Sequence, residues 1–307
     1  MKLTKLISNF KDKYRDDYNS YFYKLIILKS YIKNLNLNKF IIRTKLENLK
    51  IQKPTKYKFN NKVLLITHSL SRGGAEKQVV KLANLLVKKK NNVEILLTNY
   101  RFKNNFKNSY ILDLNKKITV SYIKKPKNIF KKINLIDDML KDNLSFISTD
   151  DLYLISELID FLKNKKINLI HSFLDDTNIV VGISGLISQV PKILLSLRNA
   201  APWRWTFYKS YWKECYRFFA KHKNIQIVCN SKNNASDYEK WLKIKKGSIK
   251  PTYNIFDFKK INTTDKSINN KKIVFGTIAR LAPEKNLFYL LKVFKELELE
   301  NTCLKIL

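Results

Sequence analysis

Two adjacent glycines, Gly73 and Gly74, lie between a continuous apolar run, Val63–Thr67, and a segment whose apolar residues recur every three or four positions. A strand that turns into a helix through such a pair is suited to holding an anion. Glycine lets the backbone approach a ligand closely, and the start of a helix presents unpaired N–H groups. Glu76 falls in the first helical turn. The stretch Ser71-Arg72-Gly73-Gly74-Ala75-Glu76 is neither a three-glycine dinucleotide fingerprint nor a phosphate loop ending in Gly-Lys-Ser/Thr. Nicotinamide-cofactor and nucleoside-triphosphatase readings therefore lose support. A tight strand–helix turn that binds nothing is the plain alternative.

Three other stretches could carry chemistry. Leu169 to Asn178 places His171, Ser172, Thr177 and Asn178 where an apolar run gives way to a helix. Ser196 to Pro202 places Arg198 at the end of the next apolar run. Phe275 to Asn286 reads Phe-Gly-Thr-Ile-Ala-Arg-Leu-Ala-Pro-Glu-Lys-Asn and holds Arg280 and Lys285 five residues apart on a strand-to-helix loop.

Taken in this order, the segments resemble the family-4 (group 1) retaining glycosyltransferases of the GT-B fold, of the bacterial polysaccharide type. A Gly-Gly-Ala-Glu motif follows the first strand in that family. The last segment is similar to its Gly-Arg-Leu-x-x-Glu-Lys motif, with Ala279 standing where the motif has glycine. The likeness covers residues 61–307. It implies an α/β architecture of two facing Rossmann-like domains, the second incomplete in this chain.

The resemblance also implies roles. A nucleotide-diphosphate sugar is the expected donor, and a glycan or lipid-linked acceptor the expected partner, in cell-surface polysaccharide synthesis. Gly73, Gly74, Arg280 and Lys285 are expected to hold the donor diphosphate. Breaking a sugar–diphosphate bond leaves negative charge on the departing phosphate, which fixed cations stabilise. Arg280 and Lys285 would take the part that a metal ion plays in other transferases, so no metal and no other cofactor is expected. Glu284 is expected to fix the loop or start the helix. Retention by front-face displacement follows from the resemblance, without a covalent nucleophile.

In the family a histidine near the end of a later strand contacts the transferred sugar, and the usual spacing would put Phe173 in its place. His171 stays as the catalytic candidate, weighed against a buried strand histidine. Glu76, Ser172, Thr177, Asn178, Arg198 and Asn254 are candidates for the cleft and acceptor side. Helix capping is the alternative for Thr177 and Asn178, and a surface ion pair for Arg198. Asn254, in Tyr253-Asn254-Ile255-Phe256-Asp257, resembles the family's Asn-Gly-Ile-Asp passage between domains without its glycine. Trp203, Trp205, Tyr208, Tyr211 and Trp212 could stack on sugar, rest on lipid, or pack.

Positioning these residues requires strands and helices in alternation, the pattern of a parallel sheet wrapped by helices. Val63–Thr67, Val93–Leu97, Ile118–Ile123, Ile167–His171, Ile193–Leu197 and Ile225–Cys229 read as strands. Val79, Leu82, Ala83 and Leu86 form one helical stripe, and Leu152, Ile155, Leu158, Ile159 and Leu162 another. Further helices are expected at Thr177–Ser188 and within Trp203–Phe219, with Ser236–Glu239 as the capping box of a helix carrying Trp241. Residues 100–150 otherwise read as long connections.

Four segments follow: a basic amphipathic extension (1–60), the acceptor-side domain (61–258), a linker (259–270), and the start of the donor domain (271–307). Thirty-seven residues are too few for a Rossmann-sized core. The family's donor-binding Glu-x7-Glu pair would lie beyond Leu307, so the chain is expected to bind donor poorly and turn over little alone.

Composition bounds the alternatives. The formal charge of +35 suggests nucleic acid or an anionic surface. Residues 1–60 hold 15 Lys and Arg against 4 Asp and Glu, and the rest of the excess is spread over most helical segments. That spread, together with Lys/Asn runs such as Lys88–Asn92, argues against a specific nucleic-acid face. An anionic membrane surface stays open as a partner. Cys215, Cys229 and Cys303 lack metal-type spacing. With no apolar run of 18 residues and no signal-peptide pattern, a cytoplasmic location is expected, at the inner face of the plasma membrane if peripheral. A nucleic-acid or anionic-surface binding protein and an inactive or split transferase remnant are the competing readings.

Overall fold

The computed structural model describes residues 39–55, 61–99, 109–124, 133, 136–163, 165–202, 208–256, 273–279, 281, 285–297 and 300–307. The chain divides into a larger unit, Ile26–Phe256, and a smaller one that includes Asp257–Leu307.

The larger unit is a parallel sheet of seven strands: β1 (Lys62–Thr67), β2 (Asn92–Leu97), β3 (Thr119–Tyr122), β4 (Leu169–Phe173), β5 (Lys192–Leu197), β6 (Ile225–Cys229) and β7 (Lys250–Pro251). Their spatial order is β3-β2-β1-β4-β5-β6-β7, every neighbour parallel. Helices cover both faces, which is why the central strands are unbroken apolar runs. Alternate residues point to opposite sides. Val63 and Leu65 meet Val79 and Ala83 of α2 (Gly74–Lys88), while Leu64 and Ile66 join the larger cluster on the other face. That cluster is filled by α4 (Thr149–Lys163), α5 (Asp175–Ile187), α6 (Trp212–Phe219) and α7 (Lys232–Leu242).

Within residues 1–60, α1 (Lys39–Glu47) buries Ile42 and Leu46 in this larger cluster, each 1% exposed. Residues 1–38 and 56–60 lie outside the described residues. A short α3 (Asp138–Asn143), capped by Asp137 accepting from the Leu140 amide at 3.1 Å, interrupts the expected long connection.

Three boundaries differ from expectation. β4 begins at Leu169, not Ile167, because Ile167 closes a turn onto the Lys165 carbonyl and the register with β1 starts at Val63 and Leu169. The helix of the aromatic stretch starts at Trp212; Trp203 and Trp205 lie outside the described residues. Ser236–Glu239 sits inside α7, which is capped instead by Ser231 accepting from Asn234 N. Glu239 accepts from the Ile249 amide at 2.9 Å and anchors the approach to β7.

The smaller unit pairs β8 (Ile273–Thr277) with β9 (Thr302–Ile306) in parallel across α8 (Leu287–Glu296). Phe275 packs edge-on against Phe294, yet Phe288, Tyr289 and Ile273 are each more than 60% exposed. Two strands and one helix cannot cover both faces of a sheet.

Candidate functional site

The chain leaves β1 towards β2 and β3, then returns to β4 on the other side of β1. Open α/β sheets bind ligands outside the carboxyl ends of their strands at such a reversal. A cavity of about 500 Å³ occupies this place. His68, directly after β1, and Leu174, directly after β4, line it with Thr98, Asp176, Thr177 and Lys209. Glu76 of α2 and Asp150 and Asp151 of α4 complete the wall.

Charge in this crevice runs against the chain as a whole. Four carboxylates face one ammonium. Lys209 Nζ meets Asp151 Oδ2 at 2.8 Å and Asp176 Oδ1 at 3.2 Å. Burial pulls the Lys209 pKa down, and the two carboxylates more than reverse it, so the lysine stays charged. Asp151 also accepts from the Tyr211 hydroxyl at 2.5 Å. Partial burial lowers the pKa of His68, while Asp176 and Glu76 pull it back up. Carboxylates and a neutral imidazole around a cavity are acceptors suited to the hydroxyl groups of a polyhydroxylated ligand.

At the mouth of α2, Gly73 has extended dihedrals, φ −143° and ψ 163°, which any residue can adopt. Its requirement is spatial. The Glu76 carboxylate lies over Gly73 where a Cβ would stand. Gly74 is open, with nothing within 4 Å of its would-be Cβ. Gly73 provides no side-chain cap, so the first-turn amides are left for a ligand or water. Leu174, at φ 73° and ψ 151°, holds a conformation that favours glycine at the lip of the crevice.

Arg198, at the end of β5, donates through Nη1 to Asn254 Oδ1 at 2.9 Å and lies over the Phe173 ring at 4.9 Å. Its buried Nε has no partner among the described residues. The segment carrying Asn254 is clamped to α2: Ile255 donates its amide to Gln78 Oε1 at 2.7 Å, and its carbonyl accepts from Gln78 Nε2 and Lys81 Nζ. Arg198 and Asn254 are thus tied to the helix that begins at Gly74.

His171 is buried and stacked on Phe173 at 4.3 Å, its Nε2 without a partner among the described residues. Burial, and then Arg198, push its pKa down to about 3, so the ring is neutral throughout the physiological range. Ser172 and Asn178 are fully buried. Ser172 donates to Asn178 Oδ1 at 2.6 Å, and Asn178 Nδ2 donates to the Ser196 carbonyl at 3.1 Å and the Tyr216 hydroxyl at 3.2 Å. Tyr216 and Tyr238 each donate to Asp175 Oδ1 at 2.8 Å. This network joins β4, β5, α5, α6 and α7 and fixes the strand-to-helix turn at Leu174.

In the smaller unit, exposed Lys285 lines a hollow of about 500 Å³ with Thr277, Ala279 and the first turn of α8. Arg280 and Glu284 lie outside the described residues. Among the described residues, no group of three or more His, Cys, Asp or Glu is placed to hold a metal ion.

Of the residues singled out from sequence, the structure brings Glu76 and Thr177 to one crevice and joins Arg198 to Asn254. His68, Asp151, Asp176 and Lys209 were missed. His68 carries a readable signal, since it follows the buried run Val63–Thr67 as the Gly pair does. Lys209 does not, because its partners lie 58 and 33 positions away.

No protein-family model matches the chain. It is 24% identical over 209 residues to the Vi polysaccharide biosynthesis protein VipC/TviE of Salmonella typhi, covering 63% of this chain and 36% of that protein. Among solved structures it is similar to Anabaena HepE in complex with UDP-glucose, at 16% identity and a TM-score of 0.52. It is similar also to the apo form of the lipopolysaccharide outer core galactosyltransferase WaaB, at 15% identity and a TM-score of 0.52. Each covers 80% of this chain and 60% of the other. The chain therefore spans less than two thirds of these relatives. The likeness shows the fold, an α/β architecture of the GT-B kind. Among the described residues no helix is long and apolar enough to cross a membrane.

Proposed function

We propose that the chain is part of a glycosyltransferase that moves a sugar from a nucleotide-diphosphate sugar to a glycan or lipid-linked acceptor in polysaccharide synthesis. The observation that carries this reading is the crevice at the reversal of strand order, bordered by the open first turn of α2 and lined by Glu76, Asp176 and His68.

The two ligands need opposite surroundings. Acceptor hydroxyls suit the carboxylate-lined crevice, where they can donate to Glu76, Asp150 and Asp176. A diphosphate is repelled there and suits the free first-turn amides of α2 beside the open Gly74; in the smaller unit, taken by itself, Arg280 and Lys285 are the cations proposed to bind phosphate. Arg198, with donors to spare, serves the phosphate side. The donor's leaving phosphate takes the proton of the incoming hydroxyl on the same face, giving retention. His171, buried and neutral, supports the wall beneath Arg198; His68 is the imidazole that reaches acceptor. A peripheral position at the inner face of the plasma membrane fits a lipid-linked acceptor.

The test is consumption of sugar nucleotides by the protein, with bacterial lipid-linked acceptors. Acceptor-stimulated release of nucleoside diphosphate from one donor is expected. A folded protein inert towards every donor, even by hydrolysis, overturns the reading.

A further inference from the structure

The crevice at the reversal of strand order holds more negative charge than its own residues balance. Glu76, Asp150, Asp151 and Asp176 line it against Lys209 alone, four carboxylates to one ammonium, in a chain whose formal charge is +35. Composition works against such a concentration, so the fold has gathered it. Asp151, 5% exposed, is already engaged by Lys209 Nζ at 2.8 Å and the Tyr211 hydroxyl at 2.5 Å. Asp176 shares the same ammonium at 3.2 Å. Glu76 and Asp150 have no cationic partner among the described residues.

Two buried hydroxyls point to a ligand in the same space. Thr98, 4% exposed, and Thr177, 2% exposed, both line the cavity, and neither side chain has a hydrogen-bond partner among the described residues. Buried polar groups are normally bonded, so these two are left for what fills the cavity.

The acids do not converge on a point. Among the described residues no three His, Cys, Asp or Glu side chains are placed to hold a metal ion, so a bare divalent cation does not match them. The matching ligand spreads one positive charge and several hydroxyls through a space of about 500 Å³, a volume that suits a small organic molecule. A sugar with a free amino group does this. Its ammonium carries three donors for the carboxylates, and its hydroxyls both donate and accept, as the two threonines require. A cationic side chain of a protein brings the charge without the hydroxyls. A uronic acid or a sugar phosphate brings charge of the wrong sign.

We infer that the crevice selects an acceptor whose reacting end is an amino sugar with its nitrogen unacetylated. The assignment rests on the reading of the crevice as the acceptor side and names the chemical class of that acceptor.

The experiment is equilibrium dialysis of the full chain with a radiolabelled chitosan tetramer and, separately, with its fully N-acetylated counterpart. The amine form should bind about tenfold tighter, through charge-assisted hydrogen bonds that the acetylated form lacks. Diffuse attraction cannot mimic this result, because a strongly cationic protein repels a polycation at long range. Glu76→Gln with Asp150→Asn should bring the amine form down to the level of the acetylated form. Thr98→Val with Thr177→Val should weaken both forms, and far-UV circular dichroism checks the fold of each variant. Equal binding of the two forms by wild type, or tighter binding of the acetylated form, overturns the amine assignment and leaves the acceptor-side reading standing. A preference that survives Glu76→Gln with Asp150→Asn overturns it too. Binding of neither form, by a preparation that still hydrolyses a sugar nucleotide, removes the crevice as the acceptor site and the amine assignment with it, while the transferase reading stands.

Discussion

Arg198 Nη1 donates to Asn254 Oδ1 at 2.9 Å, and the residue after Asn254 is bonded on both sides of its peptide to Gln78 of α2. The end of β5 and the helix that begins at the glycine pair are thereby one mechanical unit. Replacing Arg198 with methionine keeps apolar packing over Phe173 and removes the donors. A hydrogen bond to a charged group contributes about 1.5–3 kcal/mol when buried, and less at this half-exposed site. The expected outcome is a small fall in thermal stability with at least a tenfold fall in kcat/KM. Unchanged donor kinetics would remove Arg198 from the phosphate side.

Gly73 and Gly182 separate function from packing. A Cβ on Gly73 meets the mobile end of Glu76, so Gly73→Ala should displace that carboxylate from the crevice and depress activity while leaving stability nearly intact. At Gly182 the Cβ meets the buried Phe219 ring. Overpacking of that kind costs about 1–3 kcal/mol, so Gly182→Ala should lower the denaturation midpoint whatever the assay. Urea melts alongside acceptor-dependent rates decide both.

Asp175 should make stability depend on pH. Burial raises its folded pKa to about 6, above the ordinary value of 3.8, although the Tyr238 and Tyr216 hydroxyls favour the carboxylate. Between about pH 4 and 6 the folded state then holds the extra proton. Its contribution to stability is greatest below pH 4 and is lost as pH rises through 6. His171 works in the opposite sense, since a folded pKa of about 3 makes stability rise with pH up to about 6.5. The two slopes oppose each other in the wild type. Asp175→Asn should unmask the histidine, with stability relative to wild type increasing from pH 4 to pH 7 by on the order of 2–3 kcal/mol. Parallel denaturant curves at pH 4, 5, 6 and 7 measure it.

A neutral His171 also makes a kinetic prediction. His171→Gln should leave the shape of the pH–rate profile unchanged between pH 5 and 9. His68→Gln, at the crevice, should remove any inflection on the acid side of the ordinary histidine range and raise the acceptor KM. Reversal of these two outcomes would return the role to His171.

The sheet was legible because its strands are buried on both faces. Ile225–Cys229 was placed to the residue, and Ile193–Leu197 and Val63–Thr67 within one. Boundaries slipped where a tertiary contact decides them. Ile167 is apolar and buried, yet pairing with β1 begins two residues later. Among Ser231, Asn233, Asn234 and Ser236, local chemistry permits several caps, and the end of β6 at Cys229 selects the first. The glycine pair announced one border of the crevice. The rest of its lining was hidden because Asp151, Asp176 and Lys209 meet only after the helices pack. Ser172 and Asn178 matched cleft positions in the pattern, and the fold spends them in a buried network with Tyr216.

The central claim of the proposed reading is that the open first turn of α2, which begins at Gly74, receives the donor diphosphate. Calorimetric titration of nucleotide-diphosphate sugars into the protein tests it most directly. Gly74→Asp, which puts a carboxylate at the open helix start, should weaken donor binding at least tenfold while acceptor binding is retained. Donor affinity unchanged in this variant, with the fold intact, would contradict the account.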